Sequence, residues 1–182
     1  MAALPECDSV KILLEAHGRK SDREKGVVDE GWLNFDALME GASEDFSRRD
    51  VRALDPMLMY FTSGTTGYPK MVLHNATYSL GHLNTAKNWQ NVDPDGLHFT
   101  LSDTGWGKAV WGKLYGQWLM EAGVFVYDYN RFHPTDLLPL FAKYNITTFC
   151  APPTMFRFFI KEDLSKYDLS SLKYAAIAGE AL

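Results

Sequence analysis

At 182 residues, with 46% hydrophobic and 23% charged side chains, the chain has a globular composition. Such a length allows about 70% of the unfolded surface to be buried. A net charge of −5 with no offsetting basic cluster excludes wholesale nucleic-acid binding. No apolar run approaches a membrane span, Met1 to Asp8 is no signal peptide, and Cys7 and Cys150 stand far apart without metal-ligand spacing, so a soluble protein with reduced thiols is expected.

Val10 to Leu14 is a short apolar run that predicts an edge strand, and Gly18 to Gly26 reads as a mobile polar loop. Within it Arg19 to Lys25 carries charges of both signs, which suits a solvated loop better than a binding patch. Asn34 can cap a short helix through Met39 that Gly41 ends. Ser43 to Arg52 is charged and weakly periodic, with room for a single helical turn, and Asp55-Pro56 introduces the next strand.

The apolar run Met57 to Phe61 stops at Thr62-Ser63-Gly64-Thr65-Thr66-Gly67-Tyr68-Pro69-Lys70, and a second apolar run, Met71 to Leu73, follows at once. The pattern is strand, tight polar loop, strand. Gly64 and Gly67 let backbone N–H groups close on phosphate oxygens from conformations other residues avoid. Thr62, Ser63, Thr65 and Thr66 add hydroxyl donors, and Lys70 adds a compact positive charge held near the loop by the fixed φ of Pro69. The spacing is not that of a Walker loop, which needs its lysine directly after the second glycine and a helix behind it. Any four of these residues could be an ordinary Ser/Thr/Gly turn; the full nine favour a phosphate cradle.

Beyond the loop, Asn75 is a plausible helix cap, and Leu80, Leu83, Ala86 and Trp89 recur at helical spacing, which predicts a core-facing helix. After the turn Asp93-Pro94-Asp95-Gly96 a regular alternation begins. Strands are expected at Leu97 to Leu101, Gly123 to Tyr127, Ile146 to Cys150 and Tyr174 to Ala178; helices at Lys108 to Met120, Thr135 to Tyr144 and Thr154 to Ile160. Strands separated by helices imply βαβ units, an α/β fold with a mostly parallel sheet, and ligands gathered beyond the carboxyl ends of the strands.

Three stretches fall at such ends. Ser102-Asp103-Thr104-Gly105-Trp106-Gly107 can be either a helix cap before a core tryptophan or the rim of a site, and the residues alone divide evenly between the two. Thr148-Phe149-Cys150-Ala151-Pro152-Pro153-Thr154 is a proline-stiffened turn in which Thr154 can cap the following helix. Ala178-Gly179-Glu180-Ala181-Leu182 is either the start of a loop or a place where Gly179 lets backbone approach a flat ligand. Cys150 reads as inert core because no histidine pairs with it locally. His17, His82, His98 and His133 lack metal spacing and receive no chemical role.

The nine-residue loop resembles the signature of the adenylate-forming enzymes (acyl-CoA synthetases, firefly luciferases and the adenylation domains of peptide synthetases), matching S/T-S/T-G-S/T-S/T-G-x-P-K at every position. Asp103-Thr104-Gly105-Trp106 with Lys108 and Trp111, and Ala151-Pro152-Pro153-Thr154, are similar to the short- and medium-chain acyl-CoA synthetase branch. The resemblance is strong from about Val51 to Leu182 and weak from Val10. It implies ATP, Mg²⁺ and coenzyme A as cofactor and co-substrates and a small carboxylic acid as substrate. Lys70 would be catalytic on the leaving pyrophosphate, and Thr62 to Gly67 would hold phosphate with it. Gly179, Glu180 and Ala181 would lie at the adenine, Ala181 standing where a proline is frequent. Trp106, Gly107, Pro153 and Thr154 would lie at the acyl pocket, and His74 would be structural or near it. No metal ligand is assigned.

The resemblance further implies that residues 1–182 are an internal piece of the large domain, without the small carboxy-terminal domain, and unable to complete either half-reaction alone. Apolar surface left bare on such a piece would favour self-association. A cytoplasmic location, or the mitochondrial matrix in a eukaryote, is the corresponding expectation. The competing reading is a truncated paralogue that binds nucleotide or a partner without catalysis. A kinase or phosphohydrolase is disfavoured by the missing Walker pattern and catalytic aspartate loop.

Overall fold

The computed structural model describes residues 9–16, 28–62, 67–129 and 131–180. The Gly18–Gly26 loop and Cys7 lie outside them, as do Ser63, Gly64, Thr65, Thr66 and Ala181. Contacts divide the chain into two units, Met1–Asp50 and Val51–Leu182.

In the first unit, β1 (Leu14–Glu15) pairs in parallel with β2 (Leu33–Asn34). The expected strand is thus shorter and later than Val10 to Leu14. The Asn34 carboxamide accepts from Ala37 N at 3.0 Å and starts α1 (Phe35–Glu40), and Gly41 closes it.

The second unit opens with an antiparallel hairpin, β3 (Pro56–Thr62) and β4 (Lys70–Asn75), in which Thr62 faces Lys70 and Tyr60 faces Val72. Asn75 does not cap the next helix. Its carboxamide accepts from Thr77 N (3.1 Å) and from the Thr77 hydroxyl (2.6 Å), making a side-chain turn. Helix α2 (Tyr78–Asn88) therefore starts two residues later than that cap would set. Its inner face also differs from the apolar spacing: Leu80 and Leu83 are exposed, whereas Ala86 is wholly buried and Tyr78 and His82 are half-buried. The reason is an aromatic column. Rings of Tyr60, His74, Tyr78 and His82 meet in succession at centroid distances of 5.9, 4.3 and 4.4 Å, and Tyr78 meets Tyr115 at 6.2 Å, so α2 packs its aromatic edge under the hairpin.

A four-stranded, all-parallel sheet follows, in the order β6 (Gly123–Phe125), β5 (Leu97–Thr100), β7 (Thr148–Ala151), β8 (Tyr174–Ile177). Strand alternation gives β5 and β7 two different faces. Phe99, Leu101, Phe149 and Ala151 point to an apolar layer with Leu137 and Phe141 of α5 (Pro134–Tyr144) and Phe159 of α6 (Pro153–Phe159). His98, Thr100, Thr148 and Cys150 take the alternate positions and are equally buried. Their cover is α3 (Gly107–Val110), a π-helical turn (Trp111–Tyr115) and α4 (Gly116–Leu119), where one regular helix from Lys108 to Met120 was predicted. Two buried donors converge on the Gly112 carbonyl: the Thr100 hydroxyl, and the Gln90 amide at 3.4 Å. Side-chain donors inserted into the ladder compete with its backbone N–H groups and widen the turn.

Helix α6 is preceded by Pro152 as its cap, so Thr154 lies inside the first turn instead of capping it. At Gly116 a Cβ would stand 2.7 Å from the Ala86 Cβ and 2.9 Å from the His82 carbonyl oxygen, closer than packing allows. Only glycine lets α4 meet α2. We expect Gly116→Ala to lose stability in urea unfolding, because overpacking strain of roughly 1–3 kcal/mol exceeds a helix-propensity gain of at most about 1 kcal/mol. An unchanged or raised midpoint would contradict this helix contact.

Candidate active site

The hairpin presents its tip residues to solvent. Thr62 and Lys70 are exposed, with the Thr62 hydroxyl 3.5 Å from the Lys70 carbonyl. Gly67 holds φ +89°, a conformation side chains resist, which is why glycine stands there. Ser63, Gly64, Thr65 and Thr66, the centre of the expected cradle, lie outside the described residues.

The parallel sheet builds a second feature. The crossover after β5 leads to β6 on one side, whereas β7 is followed by β8 on the other, so the chain changes direction between β5 and β7. Such a switch leaves a crevice beyond the strand ends. A cavity of about 630 Å³ lies there, walled by Leu101 and Trp106 from the β5 side, Tyr127 and Tyr129 after β6, and Pro152 and Met155 after β7. The Asp103 carboxylate accepts from Gly105 N at 2.7 Å, closing a tight turn that sets Trp106, 49% exposed, at the cavity mouth. Gly107 opens α3 directly behind it.

A third feature joins the end of β8 to both neighbouring helices. Lys108, 5% exposed in α3, donates from Nζ to the Ala178 carbonyl at 2.6 Å. Gly179 follows at φ +102°, where an added Cβ would stand 3.5 Å from the same Nζ. The Glu180 carboxylate then accepts from Thr154 N at 3.2 Å and from the Thr154 hydroxyl. These bonds, with Arg157 and Lys108 nearby, hold the Glu180 carboxyl below its ordinary range. Burial pulls the Lys108 ammonium down, opposed by Cys150 and Glu180, and burial pushes the Cys150 thiol up.

Of the residues expected at the acyl pocket, Trp106 lines the cavity. Pro152 and Met155 line it in the segment where Pro153 and Thr154 were expected to, while Thr154 is engaged with Glu180. Sequence reasoning overlooked the anchoring of Ala178 by Lys108 and the burial of Lys113. The only available signal was that each lysine follows a glycine in a segment otherwise rich in apolar residues. Among the described residues no group of three or more His, Cys, Asp or Glu side chains gathers as a metal site.

Comparison with known proteins places this geometry. A family profile described as AMP-binding enzyme matches residues 3–182. The chain belongs to the AMP-binding enzyme family. Among its relatives in that family, human mitochondrial acyl-coenzyme A synthetase ACSM3 is 37% identical over 154 residues, covering 84% of this chain and 26% of that protein. Human mitochondrial ACSM5 is 39% identical over 153 residues, with the same coverage of each. The chain thus spans about a quarter of these relatives' length. Two solved structures share the fold, each with a TM-score of 0.75. One is an acyl-CoA synthetase of Brucella canis (18% identical, 97% of this chain and 35% of that one). The other is the anthranilate CoA ligase AuaEII in complex with anthranoyl-AMP (21% identical, 100% and 35%).

The polar face behind the cavity of this family member has its own logic. His98 is wholly buried, with Nδ1 2.8 Å from the Thr148 hydroxyl and Nε2 2.8 Å from the Thr100 hydroxyl. Thr100 spends its proton on the Gly112 carbonyl and so accepts from Nε2–H; Nδ1 then accepts from Thr148. Burial lowers the imidazole to about 4. A histidine held neutral supports the fold fully above its unfolded value near 6.5, and that support is lost as pH falls through about 4. Comparing urea unfolding of wild type and His98→Gln, the wild-type advantage is expected to shrink by roughly 3 kcal/mol between pH 7 and pH 4. A pH-independent difference would show that His98 is not held neutral.

Proposed function

We propose that this chain is part of an acyl-CoA synthetase that activates a short- or medium-chain carboxylic acid with ATP and transfers the acyl group to coenzyme A. Residues 1–182 lie, in this reading, in the large nucleotide-binding domain. The observation that carries it is the loop Thr62–Lys70, matched at every signature position and mounted on a two-stranded hairpin whose tip residues Thr62, Gly67 and Lys70 face solvent.

A carboxylate oxygen attacks the α-phosphorus of ATP, a P–O bond forms, and the bond to the pyrophosphate leaving group breaks. No general base is needed, because a carboxylic acid is already ionised at neutral pH. Charge develops on the leaving group. Lys70, the hydroxyls of Thr62, Ser63, Thr65 and Thr66, and the loop amides around Gly64 and Gly67 supply positive ends there. Gly179, Glu180 and Ala181 meet the adenine, with the turn fixed by Lys108 and Thr154. Thiolate attack on the acyl carbon of the adenylate then forms the thioester and expels AMP. Mg²⁺ would arrive on the phosphates of ATP, which need only one or two protein carboxylates for it.

No helix among the described residues is long and apolar enough to cross a membrane. The relatives' mitochondrial designation supports a mitochondrial location, in the matrix by our reading, if the source is a eukaryote; in a prokaryote we place the protein in the cytoplasm. Exposed apolar side chains on the hairpin, Phe61 and Met71 at 67% and 66%, support self-association.

In the protein that contains this sequence, exchange of labelled pyrophosphate into ATP should depend on an added carboxylic acid, and Lys70→Ala should slow it by about 10²–10³-fold, the usual cost of one charge-stabilising donor. Exchange at the wild-type rate would remove Lys70 from the chemistry. Pyrophosphate exchange that ignores the acid would favour nucleotide binding without acyl activation.

A further inference from the structure

Lys113 is a buried cation that the activation chemistry does not use. It sits in the π-helical turn and is 9% exposed. Among the described residues, no hydrogen bond or ion pair takes up its Nζ, whereas Lys108 five residues earlier spends its ammonium on the Ala178 carbonyl. Burial alone pulls Lys113 below the ordinary lysine range, and no carboxylate counteracts it. The Lys113 ammonium is not among the described polar atoms that are both sealed from solvent and unpartnered, so it keeps an opening to the cavity, where only water or a ligand atom can accept from it.

Lys113 also lines the cavity beyond β5, β6 and β7. Exposure divides that cavity into mouth and floor. Asp103, Trp106, Asp128 and Tyr129 are exposed and form the rim; Leu101, Pro152 and Lys113 are buried and form the floor. The walls between are apolar and aromatic, and about 630 Å³ is within the range that holds a small organic ligand. The floor is where the far end of a bound acid would lie. A plain alkyl tail there would leave the ammonium facing methyl groups.

We propose that the cavity takes a carboxylic acid whose far end carries an oxygen acceptor, a second carboxylate or a hydroxyl, and that Lys113 meets this group at the cavity floor. The inference rests on the reading that the acid substrate binds in this cavity, and it deepens that reading by naming the substrate class. Lys113 is then a specificity-determining residue. The apolar walls take the body of the acid, and the reacting carboxylate stays at the mouth.

The test is calorimetric titration of octanoate, 8-hydroxyoctanoate and octanedioate into the chain and into Lys113→Met, without nucleotide. The diacid should bind wild type about tenfold more tightly than octanoate, the gain of one charge-assisted hydrogen bond, with the hydroxy acid between them. In Lys113→Met the order should reverse, while its melting temperature should stay near that of wild type, since a side chain of similar length still fills the cavity wall. A lysine that merely supports the fold would lower the melting temperature on replacement and leave the affinity ratio unchanged, which would overturn the proposal. Equal wild-type affinities for octanoate and the diacid would also overturn it, because the reacting carboxylate itself would then be seated on Lys113. So would the absence of binding by any of the three. Since no ATP is present, these outcomes are independent of the pyrophosphate exchange that tests the phosphate loop.

Discussion

Two-residue alternation along β5 and β7 is the constraint on which the rest of the second unit depends. Because neighbouring side chains must point to opposite faces, Phe99 and Phe149 are committed to one layer and His98, Thr100, Thr148 and Cys150 to the other. The first layer is closed by α5 and α6 through edge-to-face contacts of Phe141 and Phe159 with Phe149 at 5.1 and 6.0 Å. The second layer is too polar to be covered by an apolar helix. It is covered instead by a segment with a widened turn, whose Gly112 carbonyl satisfies the Thr100 hydroxyl and whose Lys108 reaches past the sheet to the Ala178 carbonyl.

From that arrangement the site follows. The crossovers on either side of the β5–β7 pair run in opposite directions, so the strand ends leave a crevice there. The polar layer supplies the group that fixes its edge. Lys108 holds the carbonyl before Gly179, Thr154 holds the carboxylate after it, and the glycine between them keeps a positive φ. The turn is thereby fastened on both sides while its backbone stays uncovered by a side chain, which suits close approach of a flat ligand. The π-helical turn contributes a second lysine, Lys113, which lines the cavity.

Much of this was legible in the chain itself. The bounds of the parallel strands and of their crossover segments were readable within two residues, because β5 and β7 alternate cleanly and because Pro134 and Pro153 mark helix starts. The hairpin on either side of the Thr62–Lys70 segment was legible from its two flanking apolar runs. What stayed hidden depended on contacts between distant segments. Leu80 and Leu83 looked like a core face, but the aromatic column from Tyr60 to His82 turned α2 the other way. Asn75 looked like a cap, but Thr77 took its side chain. Thr154 looked like a cap or a pocket residue, and its hydroxyl serves a carboxylate 26 positions away. The burial of Lys108 and Lys113 was not legible, since nothing in sequence says which carbonyl lies above a helix.

The central claim is that the fastened turn at the end of β8 is the seat of the nucleotide base. Photolabelling of the chain with 8-azido-ATP, followed by peptide mapping, tests it most directly. The account requires that the label fall on the peptide containing Gly179 and Glu180 and that unlabelled ATP compete it away. Labelling confined to other peptides, or labelling of this one that ATP does not reduce, would contradict it.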